Sequence, residues 1–264
     1  MMRRHLLAAV AALTLGFGIG GNAMASSEAP SAPSRDWQQE GIFGTFNDAA
    51  LLRGFQVFKE VCASCHSLNY IAFRNLVEIG FTADEAKAIA EEYEVEDGPD
   101  DEGEMFMRPG RLSDKWPAPF ANDNAARASN GGAMPPDLSL IIKARPGGSD
   151  YIHALLVGYE EEAPEHFELA EGMYYNHYFP GHQIAMPTPL YEEAVEYVDG
   201  TEPTVEQLAS DVTQFLAWAA EPELEERKQT GLKVLIFLGI FTALLFAIYK
   251  RTWKKLKQAQ KTES

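Results

Sequence analysis

Cys62-Ala63-Ser64-Cys65-His66 constrains this chain more than any other feature, because it holds the only two cysteines in 264 residues. A bridge between them would close a tiny loop, so a disulfide framework is excluded. The spacing fits three chemistries. A redox dithiol needs a thioredoxin-like βαβ setting, and no stretch of the chain reads as one. A zinc site needs more thiol or imidazole ligands at short spacing, and none accompany this pair. Covalent haem attachment needs what is present. Two thiols at the end of a helix reach the two vinyl groups on one edge of the macrocycle. The next residue, His66, is then carried beneath the iron as proximal ligand.

The two ends of the chain say where such a group would sit. Arg3, Arg4 and His5 precede an apolar run over 6–19, and Ala23-Met24-Ala25 offers small residues for cleavage before Ser26. Residues 1–25 therefore read as a signal peptide rather than an anchor, since the run is short and rich in glycine. A second run, 232–249, is apolar except for Lys233 and Thr242. At about 1.5 Å per residue it nearly spans a hydrocarbon core of about 30 Å. Lys250, Arg251, Lys254, Lys255, Lys257 and Lys261 follow it, whereas Glu221, Glu223, Glu225 and Glu226 precede it. The positive-inside rule puts the tail in the cytoplasm. The expected organisation is a periplasmic haem domain over 26–228, a single anchor helix over 229–250 and a basic cytoplasmic tail over 251–264. The expected location is a bacterial inner membrane, crossed once. The net charge of −17 excludes nucleic acid as a partner and favours a basic protein.

Between the ends the chain reads as mainly α with long loops. Asn47 or Asp48 caps a helix whose Leu51, Phe55 and Phe58 lead into Cys62. Residues 82–93 suit an acidic helix, and 94–104 an exposed acidic loop. Residues 105–136 carry Pro, Gly and Asn throughout and read as mostly irregular. A short helix is expected over 149–157, then loops over 158–186. The last soluble helix is capped by Thr201 or Thr204 and lined by Val205, Leu208, Val212, Phe215, Leu216 and Ala219, with Pro222 closing it. Such long loops are unusual in a compact domain. They suit one whose core is completed by a large flat cofactor.

A sixth iron ligand must come from far along the chain. The candidates are Met105, Met107, Met134, Met173 and Met186, with His153, His166, His177 and His182. Met186 stands before Pro187 and Pro189 and just ahead of the last helix, which favours it on chain order. Met134, before Pro135 and Pro136, is its strongest rival. A thioether opposite histidine raises a haem potential and closes the open coordination position.

These segments resemble the cytochrome c1 family, the haem subunit of the cytochrome bc1 complex (quinol–cytochrome c reductase). The resemblance covers Arg53-Gly54-Phe55 through His66-Ser67, Ala125-Ala126-Arg127 through Met134-Pro135-Pro136-Asp137-Leu138-Ser139, Tyr178-Phe179-Pro180-Gly181 with Ile184-Ala185-Met186, and Asp211-Val212 through Glu221-Pro222-Glu223 with Gly231-Leu232-Lys233. It implies a cytochrome c-like haem domain carrying one covalent haem c. Cys62 and Cys65 attach it, His66 and Met186 ligate its iron, and Arg127 approaches a propionate, where charge-assisted hydrogen bonding is strong. It also implies electron relay from the Rieske iron–sulfur protein to a basic c-type cytochrome, in a dimeric, membrane-bound complex with cytochrome b. The chain would have no active site beyond the redox haem; it would be a subunit of a proton-translocating oxidoreductase. Three features depart from the family pattern. Residues 84–104 look like an acidic addition, Met134 stands where leucine is expected, and no second cysteine pair braces a loop. Competing readings are a membrane-anchored monohaem cytochrome feeding an oxidase, a c-type haem peroxidase, and a subunit whose haem only staples the fold. The acidic sets Glu160, Glu161, Glu162, Glu165, Glu168 and 94–104 are candidate rims for a basic partner.

Overall fold

The computed structural model describes residues 30–262. Residues 1–25, read as a signal peptide, lie outside the described residues. In chain order the helices are α1 (Asp48–Glu60), α2 (Ala83–Glu91), α3 (Asp123–Ser129), α4 (Ile141–Ala144), α5 (Gly148–Val157), α6 (Val205–Ala220) and α7 (Leu224–Thr262). Tight 3-10 turns cover Cys62–Ser64 and Phe73–Ile79. Two small antiparallel ladders pair β1 (Glu94–Asp97) with β2 (Phe106–Pro109), and β3 (Tyr174–Tyr175) with β4 (Gln183–Ile184). The protein is mainly helical, with minor strands.

The caps explain where the helices begin. Asn47 Oδ1 accepts from the Ala50 amide at 3.3 Å, Thr82 and Glu85 form a reciprocal capping box, and Thr204 Oγ1 accepts from Gln207 N at 3.2 Å. Pro203 stands just before the α6 cap, Thr204.

The core forms where α1 crosses α6, the most extensive helix pairing among the described elements. Phe55 meets Phe215 and Trp116 edge-on, with ring centroids 5.7 Å apart in both pairs. Phe58, Phe215 and Trp218 are fully buried beside them. The approach requires glycine at 54: a Cβ there would stand 2.1 Å from the Asp211 carbonyl oxygen and 2.7 Å from Phe215 Cβ. One residue away, Arg53 donates from Nε and Nη2 to the two oxygens of Asp211, at 2.8 and 3.0 Å. Asp211 is completely buried, and Gln207 Nε2 donates to it as well, at 2.9 Å.

Two loop readings need correction. Residues 94–97 and 106–109 form the β1–β2 hairpin, with Val95 opposite Arg108 and Asp97 opposite Phe106. Arg108 fastens it from inside, donating to Asp97 and to Asp114. Acidic composition concealed the strands, because charge says little about pairing when one arginine neutralises acids from two segments. Within 105–136, helix α3 also forms, capped by Asn122 Oδ1 on Ala125 N at 3.0 Å.

Helix α7 is continuous from Leu224 and outruns the expected 229–250 in both directions. Its stretch Leu224–Lys255 is long and apolar enough to cross a membrane, and none of its most apolar window is covered by the rest of the chain. Among the described residues this makes one candidate membrane span, with the main domain on one side of it.

Candidate haem site

Helix α1 ends at Glu60, and the chain tightens into the turn that carries both cysteines. The His66 amide donates to Cys62 O at 2.9 Å, so the cysteines and the histidine are held as one unit. Neither cysteine is bridged, and both are half-buried. Burial pushes the Cys62 thiol up to about 12, with Cys65 adding to the rise, which is the reverse of an activated redox dithiol.

The His66 ring is aimed from across the fold. Its Nδ1 lies 2.8 Å from the Pro136 carbonyl oxygen. A carbonyl can only accept, so Nδ1 carries the proton and Nε2 keeps its lone pair for a metal. Burial lowers the imidazole pKa, against the opposing Pro136 hydrogen bond and Asp137 charge, and the ring stays neutral as a ligand must. Asp137 braces the same junction. It accepts from Ser67 Oγ at 2.8 Å, Asn69 N at 2.8 Å and Ser139 N at 2.9 Å. Burial works against its charge, yet these hydrogen bonds hold its carboxyl below the ordinary range.

Arg127 stands at the other end of that bracing segment. It is exposed, donates to Gly132 O at 3.2 Å and brings Nη2 within 3.9 Å of Met134 Sδ. Met186 is held separately: the Tyr159 hydroxyl donates to its carbonyl oxygen at 3.1 Å. Burial raises the Tyr159 phenol well above its usual pKa. None of the hydrogen bonds among the described residues joins Met186 to the Cys62–His66 turn. Exposure nonetheless separates the methionines. Met105, Met107, Met134 and Met173 are 54, 56, 41 and 38% exposed, whereas Met186 is half-buried. Of the histidines, His153 is buried against Trp37 and lies 3.4 Å from Glu206, and His166 is exposed.

Sequence reading passed over Pro136, Asp137, Tyr159 and Asn176. The prolines and Asp137 were visible only as parts of a matching segment. Tyr159 carried no local signal, since its partner lies 27 residues away, and the contact that ties Asn176 to α5 reaches back 21 residues.

The residues present fit a covalently attached haem: two unbridged thiols on one turn, an imidazole with its outer nitrogen free, and a thioether withdrawn from solvent on a separate loop. Two helices crossing at a glycine, this turn and, among the described residues, one helix long and apolar enough to cross a membrane fit the class of membrane-anchored c-type cytochromes. The comparisons with known proteins name the branch. The signature described as Cytochrome C1 family matches residues 37–256. The chain is 48% identical over 272 residues to cytochrome c1 of Rhodospirillum rubrum, covering 97% of this chain and 98% of that one. It is 54% identical over 222 residues to the mitochondrial heme protein cytochrome c1 of Schizosaccharomyces pombe, covering 84% and 72%. It is 47% identical over 268 residues to cytochrome b/c1 of Bradyrhizobium diazoefficiens, covering 94% of this chain and 39% of that protein. The chain belongs to the cytochrome c1 family and is an electron-transfer subunit of a bc1-type complex.

Proposed function

We propose that this subunit carries one haem c, which Cys62 and Cys65 would bind covalently and whose iron His66 and Met186 would ligate. When bound, the haem supplies a one-electron Fe(III)/Fe(II) couple. The chain's own residues do the rest. His66 presents Nε2 because Pro136 holds the Nδ1 proton, and Asp137 keeps that bracket in register through Ser67 and Asn69. Met186 would supply the second ligand, and its thioether would keep water and oxygen from the iron. Arg127 offers its guanidinium to a propionate. The donor is the Rieske iron–sulfur protein, and the acceptor is a basic c-type cytochrome drawn to the exposed acidic residues 160–162. Cytochrome b holds the anchor in a dimeric complex; the Bradyrhizobium relative, whose name joins b and c1, supports that pairing. The haem domain faces the periplasm of a bacterial inner membrane after residues 1–25 are removed, and the basic tail faces the cytoplasm.

The observation that carries the reading is the 2.8 Å hydrogen bond from His66 Nδ1 to Pro136 O, which leaves the other ring nitrogen its lone pair on the same turn as two unbridged thiols. The test is purification of the membrane complex through this chain, with subunit identification, haem spectra and two methionine variants. Met186→Leu should keep the haem attached, lose the methionine–iron charge-transfer band, lower the potential and admit carbon monoxide. A normal potential in Met186→Leu, with loss in Met134→Leu, overturns the ligand assignment. Arg127→Gln should lower the potential while Arg145→Gln, on the arginine whose charge faces the Tyr151 phenol, does not; the opposite result moves the propionate contact to Arg145.

A further inference from the structure

The loop that bears Met186 has no helix of its own, yet it is not loosely held. Asn176, completely buried, is its fastening point. The Asn176 side chain donates from Nδ2 to Leu155 O in α5 at 2.8 Å, and its Oδ1 accepts from Tyr178 N and Phe179 N, both at 3.1 Å. Its backbone amide donates to His182 O at 3.0 Å, and the next amide, His177 N, donates to Gly158 O at 2.8 Å. Position 158 must be glycine for this contact, since a Cβ would lie 2.6 Å from Tyr178 Cδ2. Tyr159 and Asn176 face each other across an isolated antiparallel bridge. The C-terminal end of α5 thus carries the loop, and Tyr159, its next residue but one, reaches 27 positions ahead to the Met186 carbonyl.

We infer that Tyr159 is a positioning residue for Met186, holding the methionine's backbone so that its sulfur is presented to the iron at fixed reach. This rests on reading Met186 as the axial ligand. The physical reason is the weakness of the bond being supported. A thioether is a neutral, soft ligand on a flexible three-torsion side chain, so its hold depends on how little entropy remains to be lost when it binds. Every hydrogen bond that fixes the backbone beneath it removes some of that cost beforehand. Pro187 and Pro189 stiffen the chain on one side, and the Tyr159 hydroxyl pins the Met186 carbonyl itself. A competing ligand measures that hold directly, because it binds ferric iron only after the sulfur leaves.

The experiment uses the whole complex purified from membranes, with imidazole as probe and the methionine–iron charge-transfer band as readout. Tyr159→Phe removes one hydroxyl and keeps the ring. Its band should be present before imidazole is added, and imidazole should displace the sulfur at about five-fold lower concentration than in the parent, the change one neutral hydrogen bond produces. Tyr174→Phe, an exposed tyrosine of the same loop, should behave as the parent does. An imidazole affinity of Tyr159→Phe within about two-fold of the parent overturns the inference, and so does an equal gain in Tyr174→Phe. If Tyr159→Phe does not assemble, Asn176→Ser is titrated instead, and should shift in the same direction; no shift there overturns the inference too. Met186→Leu separates the two readings. If it keeps the band, the ligand assignment has failed; if it loses the band while Tyr159→Phe matches the parent, only the role of Tyr159 has failed.

Discussion

Replacing Arg53 by methionine tests whether the crossing of α1 and α6 depends on its buried ion pair. Asp211 is completely buried and accepts three hydrogen bonds, two of them from Arg53. Without the guanidinium, the carboxylate keeps one amide donor, Gln207 Nε2 at 2.9 Å. Breaking a buried pair by removing one partner costs about 3–5 kcal/mol, because the remaining charge is left uncompensated. The bond from Arg53 to Asp199, 2.9 Å long but 44% exposed on the aspartate side, adds little to that figure. For a domain of this size the loss corresponds to a fall in melting temperature of about 10 °C. The assay is loss of helical circular dichroism on heating, with the full chain in detergent. A double variant, Arg53→Met with Asp211→Leu, should recover most of the loss, since apolar replacement of both partners removes the stranded charge. A single-variant loss below about 1 kcal/mol refutes the reasoning, because that is the size of a surface pair. The outcome bears on the haem site, since α1 ends two residues before Cys62.

Gly54→Ala should destabilise the same crossing by about 1–3 kcal/mol or more in the same melt, because the added Cβ meets backbone and not a flexible side chain. Glu160→Gln, Glu161→Gln and Glu162→Gln together should slow association with a basic cytochrome at low salt. The difference should shrink where the Debye length falls to about 8 Å, and stopped-flow kinetics read it. Arg108 holds Asp97 and Asp114 below the ordinary carboxyl range, so its bracing of the hairpin is complete above their unfolded pKa of about 3.9. It is lost as pH falls through their lower folded values, and limited proteolysis at residues 98–105 should accelerate there and not above it. A chain ending at Thr230 should be released from the membrane with its domain intact, whereas one ending at Glu226 should also show a loosened N-terminal segment by hydrogen exchange.

How much of this was legible in advance follows from the range of each contact. The Cys62–His66 turn, the apolar faces of α1 and α6 and the run inside α7 are local patterns, and spacing alone exposes them. The caps at Asn47, Thr82 and Thr204 are local as well. The β1–β2 ladder was missed because its strands are four residues each and their acids mask a pairing that Arg108 makes favourable. The His66–Pro136 hydrogen bond spans 70 residues, and no periodicity can announce it. Asn176 shows the limit most plainly. A buried asparagine in a loop of aromatics looks like any solvated turn residue until all its partners are in place.

The fold also links site and membrane more tightly than a separate anchor would. Before α1 begins, residues 35–46 run as a strap across three helices. Arg35 pairs with Glu206 of α6 at 2.5 Å, and Trp37 Nε1 donates to Asp150 of α5 at 2.7 Å. The strap then reaches α7. Lys228 Nζ donates to Gln39 O and Gly44 O at 2.7 and 2.9 Å, and Glu225 accepts from the Phe46 amide at 2.7 Å. Only Asn47 separates Phe46 from α1, the helix that delivers Cys62. The foot of α7 is therefore tied to the start of α1, and α1 is clamped to α6 by Arg53 and Gly54. An electron-transfer subunit of a membrane-bound complex needs a defined orientation, because transfer depends on edge approach. A flexible linker would sample many orientations, whereas this strap and the three-residue joint between α6 and α7 restrict them.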